Sequence, residues 1–145
     1  MRVALPLLLT LTAATTPTHV APPAVAPARL AIQPPPEWLT LPQLRYQRAL
    51  PSMAPLAAYV RAEVDAGRCT TVARSATSAV VRVDMAVLVG SDSRIRRIVP
   101  RAIQCITVEQ YASGLVSKLA RDNVDNLGVE KDTWFRTTLI FAWPV

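Results

Sequence analysis

The chain has 145 residues, 51% of them hydrophobic and 18% charged, which is the length of one domain and too apolar for global disorder. One His (His19) and two Cys (Cys69, Cys105) leave no His/Cys zinc site and no Ser-His-Asp or Cys-His catalytic set once the N-terminus is set aside. The net charge of +6 suits weak attraction to anionic envelope polymers, but there is no basic stripe interleaved with aromatics, so nucleic acid is not an expected partner.

Met1-Arg2 gives a minimal positive start. Val3 to Leu11 is apolar apart from Thr10, and small residues follow at Thr12-Ala13-Ala14. This is the outline of a secretory signal peptide. The apolar run is shorter than the roughly 18 residues of a membrane-spanning helix. Residues 1–28 are therefore read as a signal peptide and the start of a Pro-rich stretch. The expected location is periplasmic or secreted, with membrane contact peripheral at most. Seven of the twenty residues from Pro17 to Pro36 are Pro, a composition that favours polyproline II and builds no core. Residues 29–54 form a linker or arm. Within it Trp38, Leu39, Leu41, Leu44 and Tyr46 are apolar enough to pack, while Pro42 and Pro51 interrupt them. A partly ordered arm is expected.

The domain proper is read from 55 to 145. Leu56, Tyr59, Val60 and Val64 share one face of a helix from about Pro55 to Ala66, with Gly67 at its C-cap. Ser78 to Val89 alternates, with Val81, Val83, Met85, Val87 and Val89 on one face, and reads as a strand. Gly90 to Ser93 is turn chemistry, and Arg94 to Val99 is a second strand stopped by Pro100. Thr107 and Gln110 have the spacing of a capping box. They open a helix whose stripe is Val108, Tyr111, Ala112, Leu115 and Leu119. A polar loop follows from Asn123 to Asp132, and then a third strand from Trp134 to Trp143. The order helix, strand, strand, helix, strand predicts an α+β domain: a three-stranded antiparallel sheet (ββαβ) packed on two helices.

Cys69 and Cys105 flank the hairpin. In an exported chain an even count is most simply one disulfide, and the spacing lacks the Cys-x-x-Cys form of redox sites. Asp122, Asp125, Glu130 and Asp132 read as a solvated loop, since their spacing matches no EF-hand. Asp84 is expected to pair with a neighbouring Arg such as Arg136. Arg94, Arg96, Arg97 and Arg101 form a dense basic patch. It either protects a sheet edge or meets an acidic partner or lipid phosphate. No catalytic residue, metal ligand or cofactor is assigned.

The run Val81 to Val89, the turn Ser91-Asp92-Ser93 with Arg94-Ile95, the helix Thr107 to Leu115 and the strand Trp134 to Phe141 together resemble the C-terminal domain of the TonB family. There a hairpin leads into a helix and a last strand, and that last strand is a sheet edge. The chain departs from the family in its short spacer and cleavable apolar run. The resemblance therefore implies the binding mode and not coupling to an inner-membrane motor. That mode is strand addition to an envelope protein, such as an outer-membrane receptor. The residues implied are Phe135, Arg136, Thr137, Thr138 and Leu139. The third strand is expected beside the first, opposite the Arg-rich second strand, as an edge whose one charge is Arg136. The expected function is a non-catalytic, exported protein-interaction domain. The alternatives are a small hydrolase with an unrecognised site and a structural domain that self-associates into a homodimer through its sheet edges.

Overall fold

The computed structural model describes residues 33–145. The expected signal peptide and residues 29–32 of the linker lie outside the described residues. Two helices, α1 (Ala57–Asp65) and α2 (Ile106–Leu119), accompany four strands: β1 (Ala73–Arg74), β2 (Ser78–Val89), β3 (Ile95–Pro100) and β4 (Thr133–Pro144). The architecture is α+β with an antiparallel sheet, as the hydrophobic pattern predicts. The sheet has four strands rather than three. The extra one, β1, is two residues long, too short to leave any periodicity in the sequence.

β2 is the spine. It pairs with β4 along its whole length, from Ser78 opposite Pro144 to Val89 opposite Thr133. Its other side is shared by β1 near Ala79–Val80 and β3 near Met85–Val89. The strand after α2 thus lies beside the first long strand, opposite the hairpin partner. Period-two alternation decides the faces. Val81, Val83, Met85 and Val87 of β2 and Phe135, Thr137, Leu139 and Phe141 of β4 are all buried in one core. Burial of a side chain the size of Leu139 or Phe141 is worth about 1.5–3 kcal/mol.

The helices cover that face. α1 buries Ala57, Val60 and Val64, and α2 buries Val108, Ala112 and Val116 at i, i+4 spacing. Tyr111 stacks at 4.6 Å on Tyr59 and at 6.0 Å on Phe141, tying both helices to β4. The start of α2 differs from the expected capping box. Cys105 is the N-cap and makes no side-chain cap. Glu109 Oε1 instead accepts the Ile103 and Cys105 amides at 2.8 and 3.2 Å, and the Thr107 hydroxyl donates to Glu63. The N-cap stands two residues earlier than expected, and the reciprocal bond is made by Glu109 rather than Gln110. Among the described residues no helix is long and apolar enough to cross a membrane.

The compact unit runs from Gln33 to Val145, so the arm packs as part of the domain. Pro36 to Leu39 line a shallow cleft with Pro100 to Ala102 at the end of β3, and Pro42 to Leu44 lie at β4. The arm therefore crosses the sheet on the face opposite the helices. Ala86 and Leu88, which point to that face, are buried accordingly.

Candidate functional site

In an antiparallel ladder alternate residues turn their peptide groups to opposite sides. On β4 the odd positions bond to β2, and the even positions face outward. At Arg136 the outward groups are occupied. Its N–H donates to the Pro42 carbonyl at 2.8 Å, and its carbonyl accepts the Leu44 N–H at 2.7 Å. Gln43 sits opposite Arg136 in a short parallel bridge, and Arg136 Nε donates to the Leu41 carbonyl at 3.0 Å. The arm is an intramolecular added strand one register long.

It then turns into the core. Leu44 is only 2% exposed, and the Tyr46 hydroxyl shares a 3.0 Å hydrogen bond with Thr137 Oγ1. Burial pushes the Tyr46 pKa up, against the pull of that bond. Asn123 fixes the next turn. Its Oδ1 accepts the Arg48 N–H at 2.8 Å, and its Nδ2 donates to the Arg48 and Leu119 carbonyls. Because the chain dives inward here, the next ladder bond, from Thr138 N–H to the Leu44 carbonyl, does not form.

The edge is therefore open beyond Arg136. The outward peptide groups of Thr138, Ile140 and Ala142 have no strand partner among the described residues. The Ile140 side chain is 51% exposed. Beside it lies a small polar cluster. Thr138 Oγ1 donates to Asp84 Oδ1 at 2.6 Å, and Arg82 Nη2 lies 2.9 Å from the same oxygen. Burial works against the Asp84 carboxylate. The hydrogen bonds from Arg82 and Thr138 and the charge of Arg101 outweigh it and hold the pKa below its ordinary value.

The expected edge is thus redrawn. Phe135, Thr137 and Leu139 face the core and bond to β2, because they are the odd positions. Arg136 faces outward but is already paired with the arm. Only Thr138 of the five belongs to the open edge, which continues through Ile140 and Ala142. The expected Asp84–Arg136 pair is replaced by Asp84–Arg82. The basic patch also separates. Arg96 lies 2.9 Å from Asp92 and covers Gly90, where a Cβ would stand 2.6 Å from its Nε. The Arg101 amide donates to the Asp84 carbonyl at 2.8 Å. Arg97 is exposed on β3. Arg94 turns instead toward a cleft beside α2.

Cys69 and Cys105 form the expected disulfide, Cα to Cα 4.8 Å, with both residues buried. Sequence reasoning missed its brace. Glu63 is held by Arg68 Nε and Nη2 at 2.9 and 2.7 Å and by Thr107 Oγ1 at 2.6 Å. The Arg68 and Thr107 hydrogen bonds lower the Glu63 pKa from 4.5 to about 2. The acidic loop contributes one loose ion pair, Asp125 to Arg45 at 3.8 Å. Among the described residues no three His, Cys, Asp or Glu side chains are grouped to hold a metal ion.

No protein family, curated protein or solved structure matches this chain.

Proposed function

We propose that this is an exported, non-catalytic protein-interaction domain that takes an extended segment of an envelope protein as a further strand, in the manner of TonB C-terminal domains. The observation that carries this reading is the outer edge of β4. Three outward peptide groups, at Thr138, Ile140 and Ala142, continue the edge on which the arm pairs at Arg136 within the chain. Their segment, Thr138 to Pro144, contains no charged residue. An edge without charge is an interaction site or an aggregation hazard, and backbone pairing supplies affinity while alternate side chains select the partner. Export is supported by the apolar start of the sequence and by the Cys69–Cys105 disulfide. The hydrolase alternative has less support. The carboxylates with shifted pKa values, Glu63, Asp84 and Asp92, all lie below their ordinary values, whereas a general acid needs one raised.

Ile140→Pro tests the reading. It removes an outward N–H and no bond to β2. The expected outcome is an unchanged circular dichroism spectrum with loss of a cross-linked partner from an envelope extract, the partner being identified by mass spectrometry. Equal capture by the folded variant would reject strand addition at this edge. A cross-link to a second copy, lost in the same variant, would assign the edge to a homodimer instead.

A further inference from the structure

A cleft of about 730 Å³ opens between the β2–β3 turn and the C-terminal end of α2. Its volume is that of a small-molecule site, and it shares no residue with β4. Arg94 and Ser93 contribute from the turn, Arg121 and Ser117 from the helix end. None of these four side chains has an ion pair or hydrogen bond to another described residue. Of the two carboxylates in the wall, Asp92 is paired with Arg96 and also faces the Arg94 charge, while the Asp122 carboxylate has no ion pair with another described residue. Asp92 holds Arg96 at 2.9 Å and accepts the Arg94 amide at 3.2 Å. The Asp122 carbonyl accepts a hydrogen bond from Arg48 Nη2 at 3.3 Å, which adds a guanidinium near the rim. The helix end is also masked. The Leu119 and Ala120 carbonyls accept from Asn123 Nδ2 and N–H, each at 3.1 Å. They are therefore not left bare as the negative end of the helix dipole.

Both rims are set by left-handed backbone. Ser93 has φ 59° and Asp122 φ 51°, two of three such non-glycine residues among those described. Conformations of this kind cost energy and gather at ligand sites and switches. Here they turn the hairpin tip and the helix end so that Arg94 and Arg121 line one space.

We propose that this cleft binds a small molecule carrying two oxyanionic groups, carboxylate or phosphate, one on each guanidinium with the serine hydroxyls donating alongside. Guanidinium favours such partners because its fork matches both atoms of an oxyanion. The inference is separate from strand addition and stands or falls independently of it.

The test is an amide-shift titration of the full chain with citrate and with pyrophosphate, against sodium chloride at matched ionic strength. Saturating shifts are expected at Ser93, Arg94, Arg121 and Asp122 with at least one probe. The probe that saturates distinguishes carboxylate from phosphate recognition. Arg94→Gln and Arg121→Gln should each weaken binding about tenfold, the worth of one charged hydrogen bond. Arg74→Gln, an equal loss of charge at exposed Arg74 on β1, should leave it unchanged. All three positions are exposed, so folding is checked by retained amide dispersion. Shifts reproduced by chloride, saturation with neither probe, or equal weakening by Arg74→Gln would each overturn the proposal.

Discussion

β2 is flanked on one side by β1 and β3, of two and six residues, and on the other by β4, which matches it along all twelve residues. The short side has few ladder bonds to hold it. It is closed instead by chemistry: the Cys69–Cys105 disulfide joins the approach to β1 with the exit from β3, and Glu63 clamps the same two segments through Arg68 and Thr107. The long side needs no cross-link, because pairing and core burial fix it. Its cost is an exposed edge, which three residues of the arm cover at one register only. The side weak in pairing is thus the side that is cross-linked, and the side strong in pairing is the one left with an open edge.

The comparison breaks most severely where the short side loses its cross-link. Cys69→Ser should lower stability by about 4 kcal/mol, the chain-entropy value for so long a loop, as read by urea denaturation. Hydrogen exchange should quicken first in β1 and β3, while the β2–β4 ladder opens only with global unfolding. Equal loosening on both sides would mean that the disulfide does not divide the sheet in this way.

On the long side the counterpart is Leu44→Ala. Leu44 is the arm's anchor in the core, and its truncation should cost about 3 kcal/mol. The amide of Arg136, bonded to Pro42, should then exchange faster, whereas the amide of Leu139, turned toward β2, should change little. This outcome would show that the arm detaches without taking β4 with it.

Glu63 sharpens the comparison through pH. Its folded pKa, about 2, lies below the ordinary 4.5. A lowered carboxylate contributes stability that is fully present above the unfolded value and is lost as pH falls through the folded one. Stability should therefore fall between about pH 5 and pH 2, and Glu63→Gln should flatten that dependence. An unchanged acid limb in the variant would assign the acid sensitivity to other carboxylates, such as Asp84.

Most of the framework was legible because it rests on period. The range Ser78 to Val89 and the core face of β4 follow from strict alternation of Val, Met, Leu and Phe. Position in the sheet followed from the order of elements. What stayed hidden depends on direction rather than type. A strand's outward peptide groups are set by the parity of its ladder, so Arg136, Ile140 and Ala142 could not be told from Phe135 or Leu139 without the register. The arm was hidden for a similar reason. Leu44 and Tyr46 were visible as apolar residues, but Pro42 breaks any periodic signal, and nothing local says that the segment lies along β4. Glu63 was silent because its partners, Arg68 and Thr107, are distant or off its helical face.

The smallest effect lies at the joint between arm and core, and it decides what the arm's contact is made of. Thr137 is 1% exposed, and its hydroxyl meets that of Tyr46 at 3.0 Å. Tyr46→Phe keeps the ring and removes the oxygen, leaving a buried hydroxyl with no partner among the described side chains. That should cost about 1 kcal/mol. Thr137→Val removes the other half of the bond while keeping shape, and strands the tyrosine hydroxyl at similar cost. The double variant removes both polar groups, so it should recover most of the loss, because two matched apolar groups carry no desolvation penalty. If the two losses simply add, the arm is held by Leu44 and its backbone bonds alone, and Tyr46 contributes only its ring. If they do not add, the arm is keyed to β4 by a specific polar contact, and the register at Arg136 is fixed by side chains as well as by the ladder.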